Sequence, residues 1–212
     1  MNYKVIDLEN FERKDLFKLY TSDLKIVMNL TVEIDVTNLV NFTKKGGYKF
    51  YPCMIWAVSK IVNSRDEFKY AKKDGNLILW DYVSPSFTDF NQETQKFNKF
   101  VSEYSSDFKT FYNTCQSDRE KYKNEVGFID NQPENVFDIT CLPWVYYKNF
   151  TMHIETEQRF FPVVSWGKYI EDNGKYKMPV TIDFNHAVGD GYHASRFFNE
   201  LQEFISNFES NI

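Results

Sequence analysis

The chain has 212 residues, of which 42% are hydrophobic, 26% charged and 18% aromatic, including 21 Phe and 14 Tyr. That length and balance describe a globular protein with a sizeable core, and we read residues 1–212 as one domain. The net charge of −5 argues against nucleic acid, and the charged first 20 residues and the lack of a long apolar run argue against a leader or a membrane span, so a cytoplasmic protein is expected.

Residues 13–20 predict a short helix burying Leu16, Phe17 and Tyr20. Residues 26–36 alternate strictly, with Ile26, Met28, Leu30, Val32, Ile34 and Val36 on one face, which predicts a strand with one covered and one wet face. Residues 51–63 predict a buried helix with Pro52 in its first turn, where a missing N–H costs nothing. Strands follow at 76–80 and 86–90, and 105–124 predicts a helix presenting Phe108, Phe111, Tyr112, Cys115 and Tyr122. Residues 136–141, 150–154, 160–169 and 176–184, rich in β-branched and aromatic side chains, predict strands, the last two joined by a turn at 171–174. A helix over 192–208 closes the chain, with Phe197, Phe198, Leu201, Phe204, Ile205 and Phe208 in one stripe. The sum is an α/β (α+β) two-layer sandwich, a mixed and mostly antiparallel sheet with helices on one face.

The stretch with the most chemistry is Asn185-His186-Ala187-Val188-Gly189-Asp190-Gly191, where a strand ends, a turn follows and a helix begins. Rigid elements aim side chains at such junctions, and an imidazole titrates near neutrality, so His186 suits proton transfer. Taken alone, His186 is equally an ordinary structural histidine, Asp190 a helix N-cap, and Gly189 and Gly191 turn formers. Phosphate-loop and dinucleotide-binding glycine patterns are missing, and His186 and His193 have no ligand spacing for zinc, so no metal is expected. His153 alternates within the predicted strand over 150–154 and reads as packed or exposed. Cys141, beside Leu142-Pro143-Trp144, reads as buried and inert.

The 185–191 segment resembles the His-His-Ala-Val-Cys-Asp-Gly signature of the chloramphenicol acetyltransferases, whose fold is shared by the catalytic domains of dihydrolipoamide acyltransferases. Further blocks match in order along nearly the whole chain, among them Tyr48-Lys49-Phe50-Tyr51-Pro52, Gln92-Glu93-Thr94, Tyr104-Ser105-Ser106-Asp107, Pro133-Glu134-Asn135 and Leu142-Pro143-Trp144. The resemblance implies the CoA-dependent acyltransferase fold, with acetyl-CoA and chloramphenicol as substrates of a homotrimer whose active sites lie at subunit boundaries. It implies His186 as catalytic base, its ring held by its own backbone carbonyl, and Thr140 as donor to the tetrahedral oxyanion. Asp190 and Arg13 are implied as a buried supporting ion pair, and Ser165 as the residue that holds a water. By the same resemblance Tyr20, Leu24, Ile26, Met28, Phe97, Phe128, Phe150 and Met152 line the acceptor pocket. Lys49, Trp144, Lys168 and Tyr169 line the coenzyme site. Three positions depart from the pattern. Asn185 replaces a histidine and is expected to point away from His186 and act on it indirectly. Gly189 replaces a cysteine and is expected to loosen or reshape the turn. Thr140 replaces a serine and adds a methyl group. An acyltransferase acting on another hydroxyl or thiol, or a non-catalytic protein that sequesters an aromatic ligand, are the other readings that this pattern leaves open.

Overall fold

The computed structural model describes residues 2–152 and 160–212. In chain order it forms β1 (Tyr3–Val5), α1 (Lys14–Lys18), β2 (Val27–Asp35), α2 (Thr37–Gly46), α3 (Phe50–Asn63), β3 (Tyr70–Lys73), β4 (Asn76–Trp80), β5 (Ser84–Asn91) and β6 (Lys96–Val101). There follow α4 (Phe108–Tyr122), β7 (Gly127–Phe128), β8 (Val136–Leu142), β9 (Val163–Gly167), β10 (Ile170–Asp172), β11 (Lys175–Asn185) and α5 (Gly191–Ser206).

Strands β1, β4 and β3 make a small sheet, and the main sheet runs β10-β11-β9-β8-β5-β6-β7 with β2 also paired to β11. Four of its pairings are antiparallel and three parallel, which is the mixed sheet expected from sequence. Register explains its two faces. Leu30, Ile182, Val164, Ile139, Phe87 and Phe100 fall in one row across six strands. This row belongs to the core, together with Leu39, Met54, Trp56, Phe111, Phe197 and Leu201 from α2, α3, α4 and α5. The neighbouring row, on the opposite face, is Thr31, Thr181, Ser165 and Thr140, all hydroxyl-bearing. Alternation along each strand thus separates an apolar, helix-covered face from a polar one.

The predicted strand over 26–36 is β2 with one residue trimmed from each end. Ile34 and Val36 are fully buried, Met28, Leu30 and Val32 pack against the core, and Ile26 lies before the strand with 38% of its surface exposed. The predicted turn at 171–174 is the β10–β11 hairpin, whose Asn173 and Gly174 take the left-handed conformation (φ 51° and 77°) that a two-residue hairpin turn requires.

Four expectations are corrected. The first helix spans only five residues and continues as a wide π turn over Leu19–Asp23, so it has a single inward position. Phe17 occupies it, against Phe11 and Phe160, and Leu16 is 41% exposed. Residues 150–152 form no strand, because this segment is tied to β2 through side chains. Asn29 donates to the Phe150 carbonyl (3.3 Å) and Thr31 to the Asn149 side-chain oxygen (3.2 Å), in place of a backbone ladder. His153 and the rest of that predicted strand lie outside the described residues. The strand foreseen over 160–169 is β9 alone, beginning after Pro162, which has no N–H to give a ladder. Cys141 is half-buried and faces a cavity, although burial raises its thiol pKa to about 12. Helix α2 and strands β1, β3, β6, β7 and β10 were not foreseen.

Candidate active site

Two clusters emerge, and most of the residues singled out from sequence fall in one or the other. The first surrounds the turn after β11. β2 and β11 stay paired to Val27 and Asn185, and the His186 N–H then donates to the Ile26 carbonyl (3.0 Å), so the ring is set down at a fixed point on the sheet edge. The half-buried imidazole stacks on Tyr20, ring centroids 4.2 Å apart. Its Nδ1 lies 2.7 Å from the carbonyl oxygen of Gly189. A carbonyl only accepts, so Nδ1 carries the ring proton and the lone pair resides on Nε2. The ring is therefore held by the carbonyl three residues on, not by its own. The His186 carbonyl is otherwise engaged, accepting from Arg13 Nη2 at 3.3 Å.

Arg13 straps this turn. Besides that bond, its Nε reaches the Ala187 carbonyl (3.5 Å) and its Nη1 the Asp190 carboxylate (3.0 Å). Asp190 is also the N-cap of α5, accepting from the Tyr192 N–H (3.0 Å), and its Oδ1 lies 2.8 Å from His193 Nδ1. Capping and pairing thus coexist in one carboxylate. The pair is less enclosed than expected within the chain, since the Arg13 and Asp190 side chains are 17% and 38% exposed. The Asn185 Oδ1 accepts from the Ala187 N–H (2.9 Å), fixing the start of the turn. Gly189 does not loosen the turn: it is buried, and an added Cβ would sit 2.6 Å from Phe184 Cε2.

Partial burial works to raise the Asp190 pKa, but bonds from His193 and Arg13 outweigh it and hold the carboxyl at about 2. A carboxylate free in the unfolded chain titrates near ~3.9. The folded value is the lower one, so Asp190 adds its full stabilisation above about pH 4 and loses it as pH falls toward 2. In urea unfolding, the gap between the wild type and Asp190→Asn should be constant above about pH 5 and narrow below about pH 4. A gap that stays the same from pH 6 to pH 3 would show that the charge contributes nothing.

The second cluster lines a cavity of about 820 Å³. It opens because the sheet parts. β5 and β8 pair only from Ser84↔Val136 to Phe87↔Ile139, yet β5 continues beside β6 to Asn91 and β8 beside β9 to Leu142. Beyond the parting, backbone groups lose their ladder partners and need others. The Tyr51 hydroxyl donates to the Thr88 carbonyl (2.8 Å), and at the next residue Arg119 holds the Asp89 side-chain carboxylate through two bonds of 2.9 Å each. Thr140 is the first β8 residue past the last β5 pair, so it lies at the mouth of the gap. Phe50, Tyr51 and Arg119 line the cavity from helices α3 and α4, whereas Lys99, Asp138 and Thr140 come from strand positions on the opposite face. The cavity therefore passes through the sheet.

Of the sequence-derived positions, Thr140, Phe97, Phe128, Phe150, Met152, Trp144, Lys168 and Tyr169 line this cavity. Lys49 is not in its wall but directly precedes Phe50, which is, and serves as the backbone N-cap position of α3. Ser165 is buried beside Thr140 in the next strand. Tyr20, Leu24, Ile26 and Met28 belong to the segment beside His186 and do not line the cavity. Four charges in the wall, Asp89, Lys99, Arg119 and Asp138, were missed from sequence. Lys99 donates to Asp138 (2.7 Å), and with Arg119–Asp89 it puts two ion pairs into a mostly apolar cavity. Their only signal is a charged residue at a strand position whose neighbours are aromatic, as at Lys99 between Phe97 and Phe100.

Thr140 and His186 stand apart within one chain. Thr140 is in register with Ser165 and Ser165 with Thr181, while His186 lies five positions beyond Thr181. At about 3.4 Å per residue this is roughly 17 Å along the strand, before two strand spacings are crossed. Among the described residues no group of three His, Cys, Asp or Glu side chains is placed to hold a metal ion, and no helix is long and apolar enough to cross a membrane.

Comparison with known proteins identifies the family. The family model described as chloramphenicol acetyltransferase matches residues 1–202. A protein of Escherichia coli named chloramphenicol acetyltransferase 3 is 37% identical over 98% of this chain and 99% of its own length. One of Clostridium butyricum, named chloramphenicol acetyltransferase, is 34% identical over 99% and 97%. Among solved structures, one named chloramphenicol acetyltransferase superposes with a TM-score of 0.85 at 23% identity, covering 96% of this chain and all of that one. The dihydrolipoamide acetyltransferase of Azotobacter vinelandii superposes with a TM-score of 0.67 at 16% identity, covering 88% and 84%.

Proposed function

This chain belongs to the chloramphenicol acetyltransferase family, and from that premise we propose that it moves the acetyl group of acetyl-CoA to the primary hydroxyl of chloramphenicol, an acyltransferase that confers antibiotic resistance. The observation that carries the chemistry is the Nδ1 contact of His186 with the Gly189 carbonyl, which leaves Nε2 as a base. In this reading Nε2 takes the hydroxyl proton as that oxygen attacks the thioester carbonyl. The Thr140 hydroxyl donates to the tetrahedral oxyanion. The C–S bond then breaks, and the imidazolium returns its proton to the departing thiolate. A positioned base and one oxyanion donor are terms of the size such chemistry needs.

The cavity suits both substrates. Lys49 and Lys168 offer cations to the phosphates of the coenzyme, with Trp144 and Tyr169 beside them as rings for its adenine. Phe97, Phe128, Phe150 and Met152 would pack on the aromatic acceptor from the cavity side. Tyr20, Leu24, Ile26 and Met28 would complete the acceptor pocket from the His186 side, with Ser165 behind Thr140 holding a water, and Arg13 with Asp190 fixing the catalytic turn. The offset of His186 from Thr140, roughly 17 Å along the strand, supports a homotrimer in which His186 of one subunit faces the cavity of the next. Leu24, Ile26 and Val27, each more than a third exposed beside that histidine, are suited to such a boundary. The reading takes residues 1–212 as one catalytic domain and sets it in the cytoplasm, alongside its acetyl donor.

Release of coenzyme A thiol from acetyl-CoA by purified protein, with and without chloramphenicol, tests the activity, and a light-scattering mass tests the assembly. Drug-dependent thiol release and a mass of three chains are expected. Tight drug binding with no release would overturn catalysis in favour of sequestration, and release with another hydroxyl compound alone would overturn the acceptor. A monomeric mass in an active enzyme would overturn the shared site.

A further inference from the structure

The contact that sets the His186 ring depends on where the peptide of Gly189 sits, and that depends on there being no side chain at 189. An ideal Cβ on Gly189 would lie 2.6 Å from Cε2 and 3.4 Å from Cδ2 of Phe184, and 3.5 Å from Cβ of His193. Carbon atoms in contact prefer about 3.5–4.0 Å, so one side must give way. Phe184 has nowhere to go. It is 2% exposed, packs edge-to-face on Phe68 at 6.0 Å between centroids, and sits in β11 opposite Met28 of β2. The turn is the softer element, since 186–190 carries no sheet ladder. Any side chain at 189 therefore displaces the turn, and the Gly189 carbonyl goes with it. The ring's own carbonyl already accepts from Arg13.

The signature that this segment resembles has a cysteine here. In this chain the space for that side chain is filled by the ring of Phe184, two residues before the histidine.

We infer that Gly189, matched to the Phe184 ring, is a positioning residue for the base: their packing holds the 189 carbonyl on Nδ1 and so keeps the lone pair on Nε2 and the ring in place. The inference rests on His186 being the catalytic base. Gly189→Ala lowers kcat by about 10²-fold, the size expected of a displacement near 1 Å, with little change in KM for acetyl-CoA. Adding Phe184→Leu removes the ring atom that collides and restores kcat to within about tenfold of wild type. Imidazole nitrogen resonances of ¹⁵N-histidine-labelled protein give a readout independent of turnover, with the His186 pair identified by its loss in His186→Gln. Wild type shows a protonated Nδ1 and a bare Nε2, Gly189→Ala loses that pattern, and the double variant regains it. A wild-type ring protonated on Nε2 overturns the inference with no variant needed. So does a folded Gly189→Ala enzyme with wild-type kcat, or a double variant no better than the single one. Turnover by His186→Ala is read separately and bears on the base assignment alone.

Discussion

His186→Ala is expected to reduce kcat by about 10²–10⁴-fold while the protein keeps its fold and assembly mass. The ring supplies the base, yet it contributes little to the core. It is half-buried, and among the described residues its side chain stacks on Tyr20 and bonds to the Gly189 carbonyl. The bonds that hold the turn in place come from other atoms. Arg13 binds the backbone carbonyls of 186 and 187 and the Asp190 side chain, Asn185 caps Ala187, and the His186 N–H reaches Ile26. All of these survive truncation to alanine. Thiol release at saturating substrates measures kcat, and circular dichroism with light scattering measures the rest. A variant with near-normal kcat would remove the imidazole from the reaction. One that loses activity together with its fold would mean that the ring is a structural strut.

Thr140→Val should lower kcat by roughly 10²–10³-fold, equivalent to about 2.7–4 kcal/mol of transition-state stabilisation, while Thr140→Ser stays near wild type. Valine keeps the β-branched shape that suits a strand and removes only the donor. Serine keeps the donor and removes only the methyl group. The place of Thr140 makes the comparison clean. It is held in β8 by the pairing to Ser165, and on its other side the β5 partner has departed, so the side chain borders the cavity. Neither replacement disturbs a ladder bond, because both keep the backbone N–H and C=O. Equal kcat values for the two variants would show that the hydroxyl is idle.

How far the sequence was legible depends on whether a signal was local. Strand β2 and helix α5 could be read because every second or every third-to-fourth residue is apolar, and only one fold of each segment buries them together. The hairpin at Asn173-Gly174 could be read because left-handed backbone selects those residue types. Strand β6 escaped notice because Lys96, Asn98 and Lys99 are poor strand formers, and its place comes from the pairing with β5. The segment 150–152 misled because aromatic and β-branched residues also occur where side chains, not backbone, make the attachments. Leu16 misled because a helix of five residues has room for one inward position.

The same division runs through the candidate site. The order of residues from Asn185 to Gly191 determined that a histidine, an aspartate and two glycines occupy one strand-to-helix turn, and the matching blocks along the chain determined the family. These are facts of adjacency and order, which a linear string contains. Tertiary structure alone decided that the His186 ring leans on the Gly189 carbonyl, and that Arg13, 173 residues away, binds the carbonyl expected to hold it. It alone decided that β5 and β8 part beyond Phe87 and Ile139 and let a cavity through the sheet, and that Arg119 and Tyr51 serve the strand ends left open. The reason is physical: hydrogen-bond partners and packing volume are shared among segments far apart in the chain, and which segment obtains them is settled only when all are folded together.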